Sequence, residues 1–277
     1  MKKNFPEVPS LFEAVFRSGY WRHGSALLRL IAPYLAGIVL AVSYAGLSMS
    51  SSWWWVWIAG ALFIVMLIVK FTTTPAGLVA STPPCYAIPV LLVLGGNGLF
   101  MIVNGIAARV VVGVLFCFSL IIVLRAIIRG QAHTGVGNIS HAAAVVFSSS
   151  LAVFSTAVSA ALLVILINFP SFGAVAAVFL SCLGVIRQVL WWISQNEKYP
   201  VAWVWALSLI CTELFILVLL LPLPIVSGGA LMWLVYSGMI ELYRLRIKEN
   251  YTRKNALTLS AVYTMACIAL LLTARWP

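Results

Sequence analysis

The chain has 277 residues, 63% of them hydrophobic and only 8% charged, with a mean hydropathy of +1.09. Soluble domains carry about 45–50% apolar and about 25% charged residues, so a water-soluble globule and a disordered chain are both excluded. The net charge of +11 raises nucleic acid as a partner, and the six acidic residues are all Glu, which excludes any mechanism built on clustered aspartates. This is the composition of an integral membrane protein.

Residues 9–22 (PSLFEAVFRSGYWR) place Leu11, Phe12, Val15 and Phe16 on one side and turn Glu13 and Arg17 toward the other. That spacing predicts a short helix in the membrane interface. A cleavable signal peptide is not expected, because the apolar run and small-residue cleavage site are lacking. The chain therefore divides into a cytoplasmic or interfacial segment, 1–26, and one transmembrane domain, 27–277.

A crossing helix needs about 20 mostly apolar residues. With Pro, Gly and charged residues as punctuation, nine spans are predicted: 27–47, 53–72, 86–105, 108–127, 141–167, 171–193, 201–221, 224–243 and 256–274. The tightest reversals fall at Asn168-Phe169-Pro170-Ser171 and Pro222-Leu223-Pro224. The fold class is thus all-α, a polytopic nine-helix membrane bundle.

Placing the N-terminus in the cytoplasm puts 15 of the 17 Lys and Arg on the inner side and leaves only Arg109 and Arg275 outside. That asymmetry is the positive-inside pattern; it predicts a cytoplasmic N-terminus and an outer C-terminus. It also disposes of nucleic acid, since the cations are spread over separate membrane edges. Trp53, Trp54, Trp55, Trp57, Trp191, Trp192, Trp203, Trp205 and Trp276 fall at span ends, as interfacial anchors do.

An ionisable side chain within a span is a functional candidate because of its cost there. Glu213 sits near the middle of the seventh span. Arg187 lies about seven residues from the inner end of the sixth, within snorkelling reach on an antiparallel neighbour. Their pattern leaves three readings: a buried Glu213, protonated or paired with Arg187, that holds helices together; a proton- or cation-coupling carboxylate; or contact with a lipid or substrate head-group. Glu241 reads as an interfacial salt bridge within the basic segment 244–254. His23, His133 and His141 fall at cytoplasmic edges, and His141 has no evident partner for haem ligation. Asn97, between Gly96 and Gly98, and the serines of the fifth span read as close helix packing or a polar-lined cavity.

Cys85, Cys117, Cys182, Cys211 and Cys267 are far apart, so free thiols are expected and no metal site. The Gly-rich stretch 130–141 matches no phosphate-binding motif. No hydrolase elbow or zincin motif occurs. No catalytic residue and no cofactor is identified.

Arg22-His23-Gly24, followed by Pro33 and Gly37, resembles the opening of the YwiC-like family of bacterial membrane proteins, and Val185-Ile186-Arg187 resembles its second half. Before the last span that family tends to show a Gly and a Glu, where this chain has Lys254-Asn255-Ala256-Leu257. YwiC-like proteins look related in architecture to the UbiA prenyltransferases, whose nine helices surround a central cavity. The resemblance implies a multi-pass protein of the bacterial inner membrane with the orientation given above. In UbiA enzymes, Asp-rich loops after the second and sixth helices hold Mg²⁺ against a prenyl diphosphate, a site that needs hard carboxylate ligands. Here the corresponding loop 70–85 has no acid and 187–200 has only Glu197. The resemblance therefore implies a UbiA-like bundle that binds a quinone, isoprenoid or lipid without that chemistry. Two alternatives stand beside it: a small transporter coupled through Glu213, and a membrane anchor docking a soluble partner at the cytoplasmic face through 1–26 and 244–254. Ligand-binding or coupling candidates are Glu213, Arg187, His141, Asn97 and His23.

Overall fold

The computed structural model describes residues 19–49, 51–73, 86–132, 139–194, 201–247 and 252–274. Every element among them is helical: α1 (Gly19–Met49), a 3₁₀ turn (Ser51–Trp53), α2 (Trp54–Thr73), α3 (Ala87–Ile102), α4 (Ile106–Ala132), α5 (Ile139–Ile167), α6 (Ser171–Ser194), α7 (Val201–Leu220), α8 (Ile225–Ile247) and α9 (Arg253–Thr273). Eight of these helices are long and apolar enough to cross a membrane. α1 runs unbroken through residues 26 and 27, where the sequence reading divides the chain. Most of the predicted interfacial helix, residues 9–18, lies outside the described residues.

The surface confirms the solvent. Leu30, Phe63, Ile106, Phe172, Leu220 and Leu272 are among many large apolar side chains left bare, each more than 60% exposed. A soluble chain does not display such a coat; a multi-pass membrane protein does, because lipid covers it.

The exception in length is α3. Its 16 residues rise about 24 Å at 1.5 Å per residue, short of the ~30 Å hydrocarbon core. α3 can be short because protein surrounds it: it packs on α1, α2, α4, α5 and α6, and ten of its residues are buried. α5 is the other central helix, touching α3, α4, α6 and α8. α9 is the opposite case, packed on α8 and with no buried residue.

Small residues set the central contact. A Cβ on Gly95 would lie 2.7 Å from Ser155 Cβ and 3.1 Å from the Ser155 carbonyl carbon. One on Gly96 would lie 2.6 Å from both Phe116 Cδ1 and the Tyr44 hydroxyl. Carbon atoms in ordinary contact stand about 3.5–4.0 Å apart, so only glycine lets α3 approach α5 this closely at Gly95, and α4 and α1 at Gly96.

Both short reversals form. Asn168 ends α5 with φ 52°, a left-handed conformation that Asn tolerates, and the Phe169 amide donates to Leu163 O at 3.1 Å. Between α7 and α8, the Leu223 amide donates to Leu221 O at 2.7 Å. At the end of α3, Gly105 takes φ 96°. There Arg109 Nε donates to Val103 O at 2.9 Å and its guanidinium lies 5.8 Å from the Phe100 ring centre. A cation on these carbonyls also complements the helix dipole.

Candidate functional site

Of the five sequence candidates, Asn97 is the one that the structure places inside. It is fully buried on α3. Its Nδ2 donates to Val93 O at 2.7 Å, and its Oδ1 accepts from Ser43 Oγ of α1 at 2.9 Å. Next to it, Tyr44 stacks on Phe100 with ring centres 4.5 Å apart, and its buried hydroxyl has no hydrogen-bond partner among the described residues. The side chains of His23 and His141 lie outside the described residues, as does His133.

Glu213 and Arg187 are not interior. Both are exposed, on the outward faces of α7 and α6. The expected pair does not form, because the helix phase turns both charges away from the bundle. They also differ in depth. Cys182 of α6 and Cys211 of α7 are neighbours; in antiparallel helices Glu213 then lies to one side of that level and Arg187 to the other, about 10 Å apart along the axis at 1.5 Å per residue. The ion pair seen among the described residues is Glu241–Arg244, at 3.1 Å, as the sequence leads one to expect for Glu241.

A second polar layer joins α5 to α8. Ser237 Oγ donates to Ser150 Oγ at 3.0 Å, Ser149 donates to Val146 O at 2.7 Å, and the fully buried Tyr236 faces Ser149 without a well-aligned bond to it. With hydroxyls and thiols alone, this layer locks helices together. Cys117, Cys182, Cys211 and Cys267 are all free thiols; Cys85 lies outside the described residues.

The third polar cluster includes a residue that sequence reasoning passed over. Gln188 follows Arg187 directly, yet it is fully buried where α6 crosses the first turn of α3. Close approach is set by Gly184, where a Cβ would lie 3.2 Å from Ala87 Cβ. Gln188 Oε1 accepts from the Ile88 amide at 3.0 Å, one of the orphan donors that every helix start leaves. Among the described residues its Nε2 has no partner, and neither has the buried indole Nε1 of Trp192 one turn later. Trp192 is therefore no simple wetted anchor. A buried donor left unpaired costs about 1–3 kcal/mol, more where hydrocarbon replaces water. The available signal was an amide in an otherwise apolar span, overshadowed by the adjacent charge.

A cavity of about 270 Å³ lies at the opposite end of α6, lined among others by Ala161, Val175, Ile216, Leu219, Leu223 and Ile225. Its lining is hydrocarbon apart from Ser171 and backbone, and Ile165 and Leu220 at its rim are exposed to the lipid side. Tyr236, Phe116 and Phe215, by contrast, are fully buried. Among the described residues no group of three or more His, Cys, Asp or Glu converges on a metal position.

No protein-family model matches this chain, and neither the curated proteins nor the solved structures contain a match.

Proposed function

We propose that this multi-pass membrane protein holds a lipidic molecule (a quinone, an isoprenoid or a lipid) in a UbiA-like nine-helix bundle of the bacterial inner membrane, N-terminus inside and C-terminus outside, without magnesium-dependent prenyl transfer. The observation that supports it is the apolar recess between α5, α6, α7 and α8. Its ~270 Å³ sits just below the ~300–1,000 Å³ typical of small-molecule sites. That is room for a stretch of hydrocarbon chain entering from the bilayer, not for a whole amphiphile. The chain has no Asp, and the loops matching the Asp-rich motifs of UbiA enzymes hold a single acid, Glu197, so the carboxylate cluster that holds a diphosphate-bound magnesium in those enzymes is missing. A coupling role for Glu213 has less support, because a carboxylate on the lipid face lies off any path through the bundle.

The test is extraction of the purified protein from nanodiscs, with bound quinones, isoprenoids and lipids identified by mass spectrometry. A stoichiometric species should be found and should fall at least tenfold in Val175→Trp and Ile216→Trp, which fill the recess from two helices. Unchanged retention in both variants, or no retained species in the wild type, overturns the reading.

A further inference from the structure

We propose that the junction between the start of α3 and the last turns of α6 is a binding site for a neutral carbonyl oxygen, with Gln188 Nε2 and Trp192 Nε1 as its donors. Gln188 and Trp192 stand at i and i+4 on one face of α6, so their side chains are neighbours. The Gln188 amide is oriented by its other end: Oε1 is held on the Ile88 amide at 3.0 Å, which turns Nε2 into a donor at the same corner. Tyr86, the residue capping α3, gives the helix start no side-chain hydrogen bond. Pro89 removes a further amide, and the Ile88 amide is already engaged by Gln188.

The corner therefore presents donors to a ligand, and that imbalance selects its chemistry. A water molecule can accept two hydrogen bonds but brings two donors of its own, so it matches a donor-rich corner poorly. An oxygen that only accepts matches it. An anion would need a buried countercharge, and Arg187, the neighbouring cation, lies on the exposed face of α6. A neutral carbonyl is what remains: the ring carbonyl of a quinone or ketone, or the ester carbonyl of a lipid. This site is independent of the apolar recess. Gln188 lies 17 residues along α6 from Ser171, which lines that recess, or about 25 Å, so either site can fail without the other.

The experiment follows the indole N–H resonances of the ¹⁵N-tryptophan-labelled full chain. Trp192→Phe, which keeps the ring and removes the donor, identifies the Trp192 signal. Nanodiscs of diether phosphatidylcholine carry no ester carbonyl; diester nanodiscs do, and a short-chain benzoquinone is titrated into the diether form. The Trp192 signal is expected to move downfield with the quinone if the source is a ring carbonyl, or between diether and diester lipid if it is an ester. Gln188→Met fills a similar volume and removes both N–H donors, and should weaken the effective ligand about tenfold. A Trp192 signal that is the same in all three conditions overturns the proposal, as does one that inorganic phosphate alone moves. A shift that Gln188→Met leaves at full affinity, in a variant whose remaining indole signals match the wild type, overturns it too.

Discussion

Adding a single methyl group at Gly95 measures the central helix contact directly. In Gly95→Ala the new carbon would stand 2.7 Å from Ser155 Cβ and 3.1 Å from its carbonyl carbon, so α3 and α5 must separate by about 1 Å to restore contacts of ~3.5–4.0 Å. Overpacking of this kind costs about 1–3 kcal/mol. The replacement also relieves a helical glycine, which returns up to about 1 kcal/mol. The expected net loss is about 1–2 kcal/mol. Gly60 provides the control: a Cβ there meets nothing within 4 Å, so Gly60→Ala carries the propensity gain alone and should be neutral or stabilising. Reversible unfolding in mixed micelles, with midpoint and slope fitted for both variants, separates the two. Ser155→Gly in the Gly95→Ala background should recover at least half of the loss, as a double-mutant cycle. If both alanine variants shift the midpoint equally, the close approach of α3 and α5 is not what Gly95 is for.

Three other outcomes follow from the same structure. Replacing Asn97 by Leu removes one acceptor of Ser43, whose hydroxyl also reaches the Trp57 carbonyl at 3.2 Å, so it should cost about 0.5–1.5 kcal/mol, the net worth of one hydrogen bond; the same unfolding assay checks it, and a neutral result would deny the α1–α3 bond its role. Glu213→Leu should leave stability unchanged or raise it, with no coupling to Arg187→Leu in a double-mutant cycle; a coupling of several kcal/mol, as for a broken buried pair, would show that the two charges meet after all. Arg109→Gln should lower stability by about 1 kcal/mol through loss of the Val103 carbonyl bond and the Phe100 contact, whereas Arg109→Lys should rescue only part, since an ammonium cannot match the planar guanidinium; full rescue by lysine would reduce the effect to charge alone.

How far the sequence was legible varies with the kind of question. The predicted spans 171–193, 201–221 and 224–243 agree within a few residues with α6, α7 and α8, because Asn-Phe-Pro and Pro-Leu-Pro break helices through local backbone chemistry. Asn97 was readable as well: an amide among three glycines in an apolar span has to be satisfied by a neighbouring helix or by its own backbone, and here it is by both. A helix forms where the third span was predicted, but it is shortened to Ala87–Ile102, below the length that crosses a membrane, and that was not foreseen, since it depends on which helices surround it.

Arg187 and Gln188 show where local reasoning stops. The two are adjacent, yet one side chain faces outward and the other is sealed against α3. In a soluble helix the polar stripe would have announced which side was which. In a span apolar on all sides that stripe is missing, because lipid tails and a protein core are equally hydrocarbon-like and the hydrophobic effect does not distinguish them. Composition and chain punctuation therefore determined the medium, the helices and the turns. Rotation of each helix about its axis, and with it the inside or outside fate of Glu213, Arg187 and Gln188, was decided only when steric fit brought Gly95 against Ser155 and Gly184 against Ala87.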